Sequence, residues 1–190
     1  MTFQLNRATD MRVKPKKHPS LWPMILTACC LGFSLQTAHA TEAHTQNVEA
    51  GFYPYGGGEE LTIKAVKSAK QSIFLAADRV ISGPIVQALG DAHRRGVNIL
   101  TVLDKSQEKS GAKLLAHEGI KVHIDSRHVL MNNNYMIIDG ETVEIGRISY
   151  TQTAAKKSAD NVIVLWNDPA VAKVYRANWQ EHWDHSNPYQ

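Results

Sequence analysis

Cysteine is scarce in this sequence of 190 residues: there are two, Cys29 and Cys30, and both lie in an apolar run near the start. A chain without that run has no thiol, which excludes a disulfide framework. Long apolar runs are missing too. The stretch from Leu21 to Leu35 spans about 15 residues, short of the ~20 that a membrane helix needs. A third scarcity is excess positive charge. The formal net charge is +3 and the pI is near 8.8. However, five of the 21 basic residues and one of the 18 acidic ones fall within residues 1–40, so 16 face 17 in the rest. That balance excludes a broad basic surface for nucleic acid and leaves room for a local anion site.

What is present at the start has an order. Arg7, Arg12, Lys14, Lys16 and Lys17 precede the apolar run, and Ala38-x-Ala40 follows it. Basic, apolar and small-residue regions in that sequence read as a secretory signal cleaved after Ala40. Residues 1–40 are then a signal peptide and residues 41–190 a single domain, secreted or periplasmic, with no stable membrane span after processing. An uncleaved anchor and a lipoprotein box ending at Cys29 are the competing readings.

Strand-like and helix-like patterns alternate through the remainder. "VEAGFYPY", "SIFLAAD", "VNILTVLD" and "IKVHID" read as strands. Between them, "GGGEELTIKAVKSAK" places Leu61, Ala65, Val66 and Ala69 on one helical face. "GPIVQALGDAHRRG" does the same with Ile85, Ala88, Leu89 and Ala92 and stops at Gly96, and "GAKLLAHEG" is a third helix. A hairpin "YMIIDGETVEIGR", a strand "NVIVLW" and a helix begun by Asp168-Pro169 complete the chain. This order implies an α/β sandwich with a largely parallel or mixed central sheet flanked by helices.

The hairpin carries a pattern. Aligned on Asp139 and Gly146, "MNNNYMIIDGETVEIGRISYTQ" resembles the H-x-K-x4-D-x6-G-S-x-N signature of the phospholipase D superfamily, single-motif nuclease-like branch. "YTQTAAKK", "DNVIVLWNDPAVAKVYRANWQEHWDHS", "DAHRRGVNI", "VLDKSQ" and "IDSRH" resemble segments of the same branch. The resemblance implies a phospholipase D-like α/β sandwich, a phosphodiester ligand (nucleic acid or phospholipid), a homodimer that joins two half-sites, and no cofactor or metal. It places Asn132 at the histidine position, Asn134 at the lysine position, Arg147 at the serine and Ser149 at the asparagine. Lys105, with Gln107, matches a loop at a strand end. Asp160 matches an acidic residue that orients the catalytic histidine.

Phosphoryl transfer through a phosphohistidine needs an imidazole and a cation, and an asparagine amide is neither. The expectation is therefore a degenerate site with no intact catalytic residue, in a catalytically inactive relative of phosphodiesterases. Arg147 and Lys105 are left as anion-binding candidates and Asp160 as a supporting one. The alternatives are a residual metal-independent phosphodiesterase, endonuclease or phospholipase D, and a phosphate- or nucleic-acid-binding module. His128, four residues upstream of the motif, is not expected to replace the nucleophile. His182 and His185 have no companion carboxylate at a spacing typical of a metal site, so no metal site is expected. Alternation in "IKVHID" puts His123 opposite Val122 and Ile124, facing solvent. Trp166, Trp179, Trp183 and Tyr175 are expected to pack rather than to stack bases.

Overall fold

The computed structural model describes residues 47–54, 56–80, 82–146 and 159–190. The signal-like segment and the positions of Arg147 and Ser149 lie outside them. Residues Glu42–Gln190 form one compact unit. Its elements are β1 (Asn47–Tyr53), α1 (Gly58–Ser68), β2 (Ser72–Ala77), α2 (Gly83–Arg94), β3 (Asn98–Asp104), α3 (Gly111–His117) and β4 (Lys121–Asp125). After these come β5 (Tyr135–Ile138), β6 (Thr142–Gly146), β7 (Asp160–Trp166), α4 (Pro169–His185) and the two-residue β8 (Asn187–Pro188).

All eight strands share one sheet in the order β1-β7-β6-β5-β2-β3-β4-β8. β2, β3 and β4 are mutually parallel, as their helical crossovers require, and the remaining pairings are antiparallel. The mixed sheet flanked by helices is the architecture the alternating pattern predicts.

Local chemistry sets the ends of the elements. Gly96 stands just past α2 with φ 93°, and Val97 N–H donates to the Ala92 carbonyl (3.1 Å), closing the helix in the left-handed conformation that glycine favours. At the start of α4 the Asp168 carboxylate accepts from Val171 N–H (3.0 Å), and Pro169 occupies the first turn, where no amide donor is needed.

Two apolar layers cover the sheet. On one face, Leu61, Val66, Ile85, Leu89 and Leu115 of α1 to α3 pack on Ile73, Leu75, Leu103 and Val122. On the other, α4 sets Ala172 and Trp179 against Ala76, Val102, Ile137 and Val143. Trp179 is fully buried and its indole N–H donates to the Leu75 carbonyl (2.9 Å). Trp183 and Tyr175 pack at the edge of that layer and Trp166 against the other. The tryptophans thus pack as expected.

His123 does not. Alternation correctly sets it opposite Val122 and Ile124, but that face is covered by α4. Its ring stacks on Trp183 at 3.6 Å between centroids and 13° between planes, and burial lowers its pKa. Among the described residues, no helix is long and apolar enough to cross a membrane.

Candidate active site

The three parallel strands end in acid. Asp78 directly follows β2, Asp104 closes β3 and Asp125 closes β4. Carboxyl ends of parallel strands are where α/β sheets place ligands. Asp78 has its pKa raised by burial, an effect that its contact with Asn134 opposes. The Asp104 carboxylate accepts from Ser106 N–H and Met131 N–H (both 2.8 Å). Burial would raise its pKa, but these amides outweigh that and lower it. The Met131 bond fixes the loop from β4 to β5, and Lys105 Nζ adds a bond to the His128 carbonyl (3.2 Å) in the same loop.

Asp125 is the focus. Its side chain is completely buried, and Oδ1 accepts from the backbone N–H of Arg127 (2.9 Å) and of His128 (3.4 Å). Oδ2 meets three imidazole nitrogens: His182 Nδ1 at 2.8 Å, His128 Nδ1 at 2.9 Å and His185 Nε2 at 3.1 Å. Burial alone would raise the pKa of this carboxyl. The hydrogen bonds from His182, His185 and His128 outweigh it and hold the group well below the usual carboxylate range.

The cluster follows from three local facts. On β4, residues 123 and 125 share the face that α4 covers, because side chains alternate along a strand. On α4, His182 and His185 are three apart and share a helix face. The turn after β4 then folds His128 back onto Asp125, three residues earlier. His182 is buried and His128 is nearly half exposed. At its other ring nitrogen His182 meets Asn133 Nδ2 (2.8 Å). An amide nitrogen donates, so Nε2 accepts and Nδ1–H is left to donate to Asp125.

Two clefts meet beside this cluster. One, of about 510 Å³, is lined by Asn132, Asn134, Tyr135, Gly146 and Tyr175. The other, of about 620 Å³, is lined by Arg127, His128, Glu181, His182 and His185. Asn178 borders both, and it accepts from the Tyr135 hydroxyl (2.7 Å). The asparagine-lined motif cleft and the histidine cluster are therefore neighbours, joined by Asn133 and Asn178.

The motif positions take different parts. Asn132 is exposed in the cleft, and Asn134 accepts from Asp78 N–H (3.2 Å). Asp139 sits at the opposite end of β5 and binds the backbone N–H groups of Lys70, Gln71 and Ser72, each at 2.8 Å. Gly146 ends β6 at the cleft, and Asp160 begins β7 opposite Tyr53. Gln107 is buried and engages Ser106 and Ser110.

The cluster corrects the expectation of a degenerate, inactive site. Asn132 and Asn134 do stand just before β5, but an inactive site follows from them only if no imidazole is close. An intact group of three histidines and one aspartate lies beside the cleft, its four ligand atoms all within 4.8 Å of one another. It has what proton transfer or cation binding needs, so the motif positions alone do not make the protein inactive. His128 does take part, contrary to expectation, and the carboxylate that His182 and His185 were expected to lack at a suitable spacing arrives from β4, 57 residues before His182. The signal available in the sequence was the pair of three-residue spacings, "DSRH" and "HWDH".

Known proteins share this architecture. Residues 62–183 match the family model described as cardiolipin synthase, PLD-like domain. A phospholipase D of Rickettsia prowazekii is 32% identical over 155 residues, covering 77% of this chain and 75% of that protein. The crystal structure of Nuc, a phospholipase D family member from Salmonella typhimurium, superposes with a TM-score of 0.73 at 30% identity, over 76% of this chain and 99% of that one. NucT from Helicobacter pylori shares the fold at a TM-score of 0.62 and 14% identity, over 75% of this chain and 100% of that one. With its sheet order, its clefts at the strand ends and these matches, the chain belongs to the phospholipase D-like family.

Proposed function

We propose that the protein is a phosphodiesterase whose reactive groups come from Asp125, His128, His182 and His185 rather than from the motif positions at β5. The observation that carries this is the convergence of three imidazoles on one buried carboxylate oxygen, with the histidines lining a cleft that adjoins one lined by amides. In that cleft Asn132, Asn134 and Asn178 offer donors to phosphate oxygens, and Arg127 and Lys105 lie near His128 to attract an anion. The cluster activates the attacking group. The likeness to proteins named phospholipase D supports the substrate class.

Hydrolysis of bis(p-nitrophenyl) phosphate, of DNA and of phospholipid vesicles tests the reading. At least one is expected to turn over, with the rate falling ~100-fold or more in His128→Ala. It should be unchanged in His117→Ala, on the far helix α3. No turnover of any of the three, or equal turnover in both variants, sinks the proposal.

The proposal extends to an exported homodimer. The N-terminal order of charges and apolar residues supports export, and a two-fold axis is the commonest way in which identical chains, each with one motif, pair. Mass spectrometry of exported protein is expected to find Thr41 first, and light scattering about twice the mass of that chain. A retained leader or a strict monomer would contradict these two parts separately.

A further inference from the structure

We propose that Asp125, His128, His182 and His185 bind one divalent transition-metal cation of the zinc type. The donor set comes first. Three imidazole nitrogens and one carboxylate oxygen are borderline ligands, suited to zinc, cobalt, nickel or copper and poorly suited to magnesium or calcium, which take oxygen.

Crowding at Asp125 is a second, independent argument. A carboxylate oxygen has two lone-pair directions, and Oδ2 faces three ring nitrogens at 2.8, 2.9 and 3.1 Å while Oδ1 already serves two backbone amides. The arrangement asks one atom to accept more than it comfortably does. A cation at the focus removes the conflict, because each nitrogen then points its lone pair at the metal. Ligands about 2.0–2.1 Å from a tetrahedral ion lie about 3.3 Å apart, so the three nitrogens, now 2.8–3.1 Å from Oδ2, move out from it by a few tenths of an ångström, and ligand atoms as much as 4.8 Å apart draw in around the ion.

The surroundings agree. Backbone amides of Arg127 and His128 already orient the carboxylate through Oδ1, as outer groups do at metal sites. Asn133 contacts the outer nitrogen of His182 at 2.8 Å. With a metal on Nδ1 that outer nitrogen carries a proton, and the Asn133 amide turns to present its oxygen, an exchange of two atoms of nearly equal size. Access is through the cleft of about 620 Å³, where Glu181 and Asp184 add negative charge and His128 sits at the solvent edge. Resting on the phosphodiesterase reading, the cation would act as a Lewis acid toward a phosphate oxygen entering from the adjoining cleft.

The test uses the full chain, stripped with EDTA and titrated with Zn2+ by calorimetry and with Co2+ by visible spectroscopy. One equivalent is expected to bind, with Co2+ giving d–d bands and no thiolate charge-transfer band, which separates this site from Cys29 and Cys30. Affinity should fall ~100-fold or more in His128→Ala/His185→Ala, and by ~10-fold in Asn133→Ala, the size of outer-group effects. Binding that is absent, or equal in the double variant, overturns the site. If the double variant does not fold, His128→Ala alone, at a half-exposed position, makes the same comparison. Zinc bound without hydrolysis of any substrate leaves the site standing and sinks the phosphodiesterase reading. Hydrolysis that survives complete metal removal does the reverse for the cation's role.

Discussion

Asp125→Ala is expected to lower the free energy of unfolding by about 3–5 kcal/mol, the range found when one member of a buried charged group is removed and its partners stay behind. The physical reason is the number of groups that share this one acceptor. Three imidazole nitrogens and two backbone amides lose it together, around a carboxylate that is itself completely buried. Each buried donor left unsatisfied costs about 1–3 kcal/mol, and partial relaxation keeps the total below the sum. Asp125→Asn retains the shape and one oxygen, so its loss should be roughly half as large. Urea unfolding followed by tryptophan fluorescence, with EDTA present so that no cation contributes, measures both. A change below ~1 kcal/mol in Asp125→Ala would mean that the histidines find other partners at little cost, and that the carboxylate is not the centre of the cluster.

The fold was far more legible than the site, and the elements show why. Apolar residues at helical spacing mark α1 and α2 directly, and Gly96 marks where α2 must stop, since each signal lies within one segment. β8 has no such signal, because two residues carry no period. The sheet order is likewise invisible, since it depends on which edges meet after the chain folds back. His123 is an instructive failure. Alternation says which residues share a face of β4, but not that α4 will cover it. The site failed for the same reason. "DSRH" and "HWDH" are each visible locally, while their meeting depends on α4 crossing the carboxyl end of β4. The family signature falls on Asn132 and Asn134, whereas the histidines of the cluster come from segments that no local pattern connects.

Asp139→Ala is expected to cost about 3 kcal/mol of stability and to leave hydrolysis by the folded protein unchanged, although Asp139 is, with Gly146, one of the two motif residues that the sequence preserves. Its carboxylate accepts from three successive backbone N–H groups, those of Lys70, Gln71 and Ser72, and its own N–H donates to the Ser72 carbonyl at 2.9 Å. Bonds to a charged acceptor are worth about 1.5–3 kcal/mol each when buried, and the partial exposure of this turn reduces that. Alanine adds a backbone penalty of about 1–2 kcal/mol, because Asp139 has φ 53°, a left-handed conformation that aspartate and asparagine tolerate better. Asp139→Asn should therefore be the milder change, keeping the conformation and one acceptor. The residue ties the β5–β6 hairpin to the turn before β2, at the opposite end of β5 from the cleft. Thermal unfolding and substrate turnover measured on the same samples separate the two roles. Lost turnover with unchanged stability would return Asp139 to the site, and an unchanged melting temperature alone would show that these three amides are satisfied without it.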